Sequence, residues 1–309
     1  MDCPYVRVGR LTIQVIKEHK VKTINRKRAS FITALLLSGV ASTALAQQDF
    51  SAVQIVPHQV AGNIYYLQGQ GGNIGVSVGA DGVVMIDDQF APLTDKILAA
   101  IRTLSSGDIR FLINTHIHGD HTGGNENLGK MGILILARDE VRVRLSATAA
   151  PEALPVLTFS EDMTVHLNGE DMHIISVPPA HTDGDAIIYF QGSDVIHVGD
   201  VFRTTGFPYM DLANGGSLQG TLDALAMIIG MAGPNTKIIP GHGGVSSRED
   251  VREFRDMILD VAGKVKAMVE QGRNLEQVIA ARPTAAYAAK WTDDPARFLG
   301  GVYAGVGGQ

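Results

Sequence analysis

One ten-residue stretch, THIHGDHTGG at residues 115–124, constrains this chain most, because three histidines and an aspartate fall within six of its positions. The apolar run at 111–113 precedes it and predicts a short strand, and Gly123 and Gly124 predict a turn after it. A strand that ends in such a turn exposes several side chains at one sheet edge. Imidazoles bind zinc and other first-row divalent ions, and a carboxylate adds a charged oxygen ligand. The stretch therefore predicts a metal site. Its candidate ligands are His116, His118, Asp120 and His121.

Three further candidate ligands lie downstream in the same local context. His181 lies in PPAHTDG, Asp200 in VGD and His242 in IPGHGG, each within four residues of the end of a predicted strand and beside Gly or Pro. Polar clusters at the carboxyl ends of several strands can meet at one edge of a sheet. We therefore expect these three side chains to join the first cluster in a single site.

The first 46 residues predict an export signal that is not part of the folded body. Residues 25–28 form a basic run, residues 31–40 an apolar run of about ten residues, and 44–46 an A-x-A cleavage site. The apolar run is short for a bilayer-spanning helix, so a retained anchor is the alternative interpretation. We expect cleavage after Ala46 to leave one domain, residues 47–309, in the periplasm or outside the cell without stable membrane insertion.

The composition of the predicted mature chain limits its partners and its chemistry. The leader holds 8 of the 26 Lys and Arg and 2 of the 32 Asp and Glu, so residues 47–309 carry a net charge near −12. Such a surface repels phosphate backbones, so we expect a small-molecule substrate and no nucleic acid. The single cysteine, Cys3, lies in the leader, so the mature chain has neither a disulfide nor a thiolate ligand. The oligomeric state stays open.

The hydrophobic pattern predicts strands and helices in two similar halves. The predicted strands are residues 53–56, 64–67, 73–78, 83–86, 111–113, 133–137, 164–167, 173–177, 186–190, 195–198 and 237–239. The predicted helices are residues 93–104, 138–145, 218–231 and 248–270. The first four strands are separated by Gly and Asn, which favours an antiparallel meander. Two β-rich halves, each closed by helices, predict an α/β (α+β) protein with two sheets packed face to face, a four-layer αββα sandwich.

The motif H-x-H-x-D-H at residues 116–121 resembles the signature of the metallo-β-lactamase superfamily. The later candidate ligands follow in the family's order and spacing, so the resemblance covers nearly the whole predicted mature chain. The resemblance implies the metallo-β-lactamase fold and two zinc ions per chain. It implies that one ion is held by His116, His118 and His181. It implies that the second ion is held by Asp120, His121 and His242.

Asp200 distinguishes the branches of this superfamily. It lies where the glyoxalase II and lactonase branches carry a carboxylate that bridges the two metals. β-Lactamases that use a cysteine there differ from this chain, as do the cysteine-free β-lactamases, which lack the aspartate. The resemblance therefore implies a dinuclear site in which Asp200 holds both ions at a short separation.

The ligand types predict a hydrolase. A water shared by two dications has a pKa near neutrality and becomes a hydroxide nucleophile, so no Ser or Cys nucleophile is needed. The resemblance implies that Asp120 is also catalytic, orienting the hydroxide and passing on its proton. We expect cleavage of a carbonyl ester or amide. A β-lactam or a lactone is slightly favoured, because the export signal leads to the periplasm, where β-lactams meet their targets.

Three alternatives stay open from the sequence. The first is a thioester hydrolase of the glyoxalase II kind, which Asp200 favours and the export signal disfavours. The second is an iron-dependent enzyme of the persulfide dioxygenase type, since the same nitrogen and oxygen ligands can hold iron. The third is a non-catalytic periplasmic metal-binding protein, which the complete ligand set disfavours.

Several other residues have two interpretations each. Asp87 and Asp88 end a predicted strand and either bond to a ligating histidine or only shape the turn. Three residues in and beside the Gly-, Asn- and Pro-rich stretch 204–216 are candidate substrate contacts, or else ordinary loop residues: Arg203, Phe207 and Tyr209. The remaining histidines of the predicted mature chain are interpreted as structural: His58, His166, His173 and His197. For His197, support of Asp200 is the alternative interpretation.

Overall fold

The computed structural model describes residues 49–308, which form two β-sheets and eight α-helices. The predicted export segment, residues 1–46, lies outside the described residues. The strands are β1 (Val56–Ala61), β2 (Ile64–Gln68), β3 (Ile74–Gly79), β4 (Gly82–Ile86), β5 (Ile109–Ile113), β6 (Leu134–Arg138), β7 (Leu157–Phe159), β8 (Met163–Leu167), β9 (Glu170–Ser176), β10 (Ala186–Phe190), β11 (Val195–His197) and β12 (Lys237–Ile239). The helices are α1 (Thr94–Leu104), α2 (Gly119–Thr122), α3 (Asn125–Lys130), α4 (Asp139–Leu145), α5 (Leu218–Met231), α6 (Arg248–Glu270), α7 (Leu275–Ala280) and α8 (Ala296–Gly305).

The two sheets follow the two halves of the chain. The first has the order β1-β2-β3-β4-β5-β6-β7, and the second has the order β12-β11-β10-β9-β8. Strands β1 to β4 form the predicted antiparallel meander, while β4 to β7 are parallel. In the second sheet β11 and β12 are parallel and the other pairs are antiparallel.

Three clusters of buried side chains separate four layers. Between the sheets, Ile86 and Ile113 of the first sheet belong to the same cluster as Ile188 of the second. The outer face of the first sheet packs against α1, and the outer face of the second packs against α5, α6 and α8. The predicted αββα sandwich is therefore confirmed. No helix among residues 49–308 is both long and apolar enough to cross a bilayer.

The strand predicted at residues 53–56 is wrong. The first strand begins at Val56 and continues through Pro57 to Ala61. Proline lacks the N–H that a central strand needs, but β1 is the edge strand of its sheet and tolerates it. The short strand β7 and the helix α8 were not predicted. The glycines of α8 weaken its helical propensity, and burial of Phe298, Leu299 and Val302 compensates for that weakness.

The strand directions place the polar clusters at one edge. His116 follows β5, His181 follows β9, Asp200 follows β11 and His242 follows β12, each within a few residues. Because β11 and β12 are parallel, their carboxyl ends meet at the same edge of the second sheet. The link between the two sheets is direct there, since Asn73 beside β3 donates from its side chain to the carbonyls of Pro240 and Gly243.

Candidate metal centre

The structure brings all seven predicted ligands together. Three overlapping groups each have ligand atoms within 4.8 Å of one another. The groups are His116, His118 and His181; His116, His121 and Asp200; and Asp120, His121 and His242. The first and the third reproduce the two ligand sets that the family resemblance implied, and the second joins them. The donor set is five imidazoles and two carboxylates, which suits zinc and related first-row ions.

Polar atoms without partners lie at the centre of this cluster. The Nε2 atoms of His116 and His121 and the Oδ1 atom of Asp200 are buried without a hydrogen bond. An unsatisfied buried polar atom costs about 1–3 kcal/mol, so native proteins rarely keep three of them side by side without a partner. A metal ion is the partner that nitrogen lone pairs and a carboxylate oxygen share. The residues present therefore fit a metal centre.

Asp200 lies between the two ligand sets. Its Oδ1 atom is 3.2 Å from Nε2 of His121 and 3.3 Å from Nε2 of His242, while its Oδ2 atom is 3.7 Å from Nε2 of His181. One carboxylate oxygen thus faces ligands of the second set, and the other faces a ligand of the first.

Asp87 fixes the orientation of His121. Its carboxylate accepts hydrogen bonds of 2.7 Å from the backbone N–H and the hydroxyl of Thr115 and from Nδ1 of His121. Because Nδ1 is bonded to Asp87, Nε2 is the nitrogen of His121 that faces the site. The backbone of Asp87 has a φ of 61°, a left-handed conformation that a non-glycine residue adopts at some cost. Asp87 therefore bonds to a candidate histidine ligand, which is one of the two interpretations given for it from the sequence. Asp88 instead accepts a hydrogen bond from the backbone N–H of Gly124.

The loop after β11 orients two other histidines. Nε2 of His118 donates to Asp211 Oδ2 at 2.8 Å, so its Nδ1 faces the site and lies 2.7 Å from Nε2 of His181. Nδ1 of His181 donates to the carbonyl of Tyr209 at 2.6 Å. The segment from Tyr209 to Asp211 therefore sets which nitrogen each histidine presents. Asp211 was not predicted from the sequence, although it lies within the Gly-, Asn- and Pro-rich stretch 204–216.

The charges of the site reinforce this arrangement. Burial, with the neighbouring His121 and His181, lowers the pKa of His116 well below its usual value, and burial also lowers that of His181. Neutral imidazoles of this kind are ready to donate a lone pair. Burial raises the pKa of Asp200, but the charges of His121 and His242 outweigh it and hold that pKa well below its usual range. Asp200 is therefore an anion.

His242 and Asp120, like His118, are partly exposed members of the cluster. Burial lowers the pKa of His242, but Asp200 and Asp120 outweigh burial and raise it to about 9. Burial raises the pKa of Asp120, while its hydrogen bond with His242 lowers it, and the net shift is downward. Both side chains keep an exposed fraction, 19% for His242 and 30% for Asp120. They therefore lie on a solvent-accessible side of the cluster.

The other residues singled out from the sequence have varied positions. Phe207 is buried and stacks on Phe298, so it is a core residue rather than part of the wall of the metal site. His197 donates from Nε2 to the carbonyl of Asn73 and accepts from the N–H of Gly199 beside Asp200, which is the supporting role considered for it. The other three histidines lie away from the cluster. His166 and His173 each pair with a carboxylate, and His58 stacks on a tyrosine.

Gly241 is required by close packing around Asp200. A Cβ atom added to Gly241 would clash with Oδ1 of Asp200, whereas one added to Gly244 meets nothing within 4 Å. We expect Gly241→Ala to displace the Asp200 carboxylate and to lower metal affinity and turnover by about 100-fold, as misplacement near 1 Å does in active sites. Gly244→Ala is the matched control and should behave as wild type. Equal metal affinities for the two variants, measured by chelator competition, would contradict this role.

Comparison with known proteins agrees with this geometry. A family model described as the metallo-beta-lactamase superfamily matches residues 62–242. The chain is 27% identical over 157 residues to a hydroxyacylglutathione hydrolase of Nitrosococcus oceani, covering 49% of this chain and 55% of that protein. It is 24% identical over 176 residues to a beta-lactamase-like protein 2 homolog of Caenorhabditis elegans, covering 55% of this chain and 56% of that protein. The chain spans about half the length of these curated relatives.

Solved structures share the fold at low identity. A metallo-beta-lactamase from Pontibacter korlensis superposes with a TM-score of 0.59 at 16% identity, covering 67% of this chain and 100% of that chain. The sec-alkylsulfatase Pisa1 from Pseudomonas sp. gives a TM-score of 0.61 at 14% identity, covering 73% of this chain and 45% of that chain. At such identities the likeness shows the fold alone. The match of the family model to more than half of the sequence shows that the chain belongs to the metallo-β-lactamase superfamily.

Proposed function

We propose that this protein is a zinc-dependent hydrolase that cleaves a carbonyl ester or amide, with a cyclic substrate such as a β-lactam or a lactone favoured. The observation that carries the proposal is the convergence of seven ligand side chains around three buried atoms that lack partners. Family membership and the hydrolase names of the relatives support the reaction class. One zinc ion would be held by His116, His118 and His181. The second would be held by Asp120, His121 and His242, with Asp200 between them.

The roles of the protein's own side chains follow from their positions. Zinc bound in this cluster would lower the pKa of a water molecule and polarise the carbonyl group of a substrate. Asp120 is anionic and partly exposed, so its carboxylate can orient that water and accept its proton. Asp200 supplies negative charge between the two ligand sets. The contacts of Asp87 and Asp211 hold His121 and His118 in place, which reduces the reorganisation needed during the reaction.

A thioester is the second candidate substrate. The N. oceani relative is named a hydroxyacylglutathione hydrolase, and its name describes cleavage of a glutathione thioester. The position of Asp200 between the two ligand sets agrees with the branch of the family that acts on thioesters and lactones. Thioesters and lactones both have an activated carbonyl carbon, so one site geometry serves either. The leaving group is what distinguishes a thioester substrate from a lactone substrate.

Activity toward a panel of β-lactams, lactones, thioesters and phosphodiesters tests the proposed reaction. We expect the zinc-loaded protein to open nitrocefin or a homoserine lactone and a chelator to abolish the activity. Asp120→Asn should reduce kcat by about 100-fold or more, the usual contribution of a general base, while Asp256→Asn, on the exposed face of α6, should not. Turnover of thioesters alone would replace the cyclic substrate with the second candidate. Turnover of none of the four classes would overturn the proposed function.

Export is a separate proposal that the sequence alone supports. The basic run, the apolar run and the A-x-A site before Gln47 have the order of a signal peptide. We propose that the protein acts in the periplasm or outside the cell with Gln47 as its first residue. Fractionation followed by intact mass measurement tests this. A full-length protein confined to the cytoplasm would contradict it.

A further inference from the structure

A cavity lies next to the candidate metal centre and takes no part in the proposed chemistry. It has a volume of about 510 Å³, which is within the usual range for small-molecule sites. The loop after β11 and the start of α8 line it, with Arg203, Phe207 and Tyr209 on one side and Arg297 and Phe298 on the other. Its floor is apolar, because Phe207 and Phe298 are buried and stacked on each other.

Tyr209 forms the wall between this cavity and the metal centre. Its ring stacks on His118 with centroids 5.9 Å apart and packs edge-on against His181 at 5.4 Å. The guanidinium carbon of Arg297 lies 4.8 Å from the centroid of the Tyr209 ring, a cation–π distance. The ring of Tyr209 therefore contacts both the guanidinium of Arg297 and two candidate metal ligands. A substrate with its scissile carbonyl at the metal centre would reach Arg297 by passing over Tyr209.

Arg203 and Arg297 are the cationic side chains that line this cavity. Arg203 uses only Nε, which donates to the carbonyl of Thr205, and neither it nor Arg297 forms an ion pair within residues 49–308. Two carboxylates also line the cavity, and each accepts a backbone hydrogen bond through one of its two oxygens. Asp293 accepts from the N–H of Phe207 at 2.8 Å, and Asp294 accepts from the N–H of Ala296 at 3.0 Å.

We propose that this cavity binds a carboxylate group of the substrate on Arg297, assisted by Arg203, while the scissile bond lies at the metal centre. The proposal rests on the proposed hydrolase function and narrows its substrate class to anionic esters, amides or thioesters. A guanidinium presents paired N–H donors that match the two oxygens of a carboxylate. The ring of Tyr209 holds the guanidinium of Arg297 in place, so little conformational entropy is lost when the anion binds.

A matched pair of ligands tests the charge dependence without turnover. The thioether 3-(ethylthio)propionate and its methyl ester differ in the negative charge and in one methyl group, and binding of each to the zinc-loaded protein is measured by calorimetry. We expect the acid to bind about tenfold more tightly than the ester, as one charge-assisted contact gives. Arg297→Ala should remove most of this preference, and the double variant Arg203→Ala/Arg297→Ala should remove all of it. Arg102→Ala, an exposed arginine of α1 distant from the site in sequence, is the control and should keep the preference.

Turnover of a second pair separates this proposal from the proposed function. The thioester 3-(acetylthio)propionate and its methyl ester should differ in kcat/KM in the same ratio, and the arginine variants should change KM rather than kcat. Equal binding of acid and ester to the wild type would overturn the cavity proposal, whether or not the protein is a hydrolase. A preference that survives in the double variant would also overturn it, because the carboxylate would then bind the metals. Preferential binding without turnover of any carbonyl substrate would overturn the hydrolase function alone.

Discussion

Asp200→Ala is expected to reduce metal binding from two zinc ions to about one per chain and to reduce kcat by about 100- to 1000-fold, since a lost charge contact in a metal site costs several kcal/mol. The physical reason is the position of this carboxylate between the two ligand sets, with His121 and His242 on one oxygen and His181 on the other. Removing it leaves the positive charges of two ions without the anion between them. Metal analysis after dialysis gives the stoichiometry, and steady-state kinetics give kcat.

Two comparisons make this expectation specific to Asp200. Asp200→Asn keeps the size of the side chain and loses the charge, so it should also lose the second ion. Asp256→Asn removes an exposed carboxylate of α6 and should keep both ions and full activity. Circular dichroism establishes that each variant is folded. Two tightly held ions in a folded Asp200→Ala protein would show that this residue does not bridge them.

Asp211→Ala is expected to weaken binding of one of the two zinc ions by about 10- to 100-fold, the usual cost of losing a partner behind a metal ligand. Asp211 accepts from Nε2 of His118, and two hydrogen bonds from Asn214 hold its carboxylate. Burial raises the pKa of Asp211, but the bonds from Asn214 and His118 outweigh it and lower that pKa to about 2. The charge is therefore present throughout the physiological range, and it fixes Nδ1 of His118 as the ligand atom.

A merely structural role for Asp211 would give a different result. The Asp211→Asn amide can still accept from His118 through its oxygen, so it should recover part of the lost affinity. Cobalt substituted for zinc reports the geometry of the site, and we expect its visible spectrum to change in Asp211→Ala and to return toward that of the wild type in Asp211→Asn. Equal loss of affinity for both ions, with no recovery in Asp211→Asn, would indicate general destabilisation instead.

The layers of the fold and the convergence of the seven candidate ligands were predictable because each leaves a local signal. Short continuous apolar runs define β10 and β12, and the periodic pattern of α6 begins after Ser247, which caps it. The histidines and aspartates of the candidate centre follow strands beside Gly or Pro. Since strand ends meet at a sheet edge, their convergence follows from the order of the elements rather than from any single contact.

The features that were missed depend on contacts between distant parts of the chain. Asp211 meets His118 across 93 positions of sequence, and the carbonyl of Tyr209 that receives His181 has no side-chain signature at all. Phe207 was considered as a substrate contact, and the burial of its ring, which Phe298 and Trp291 set, could not be read from the sequence. Loops take their shape from such partners, so their roles become visible only in three dimensions.

The metal content of the natively purified protein tests the central claim most directly. The account predicts two zinc ions per chain, loss of both on chelation, and recovery of carbonyl hydrolysis when zinc is restored. One iron per chain together with oxygenase activity would contradict it and favour an enzyme of the persulfide dioxygenase type. A protein that holds metal but in which Asp120→Ala changes no measurable activity would contradict it as well, and would favour a role in metal binding alone.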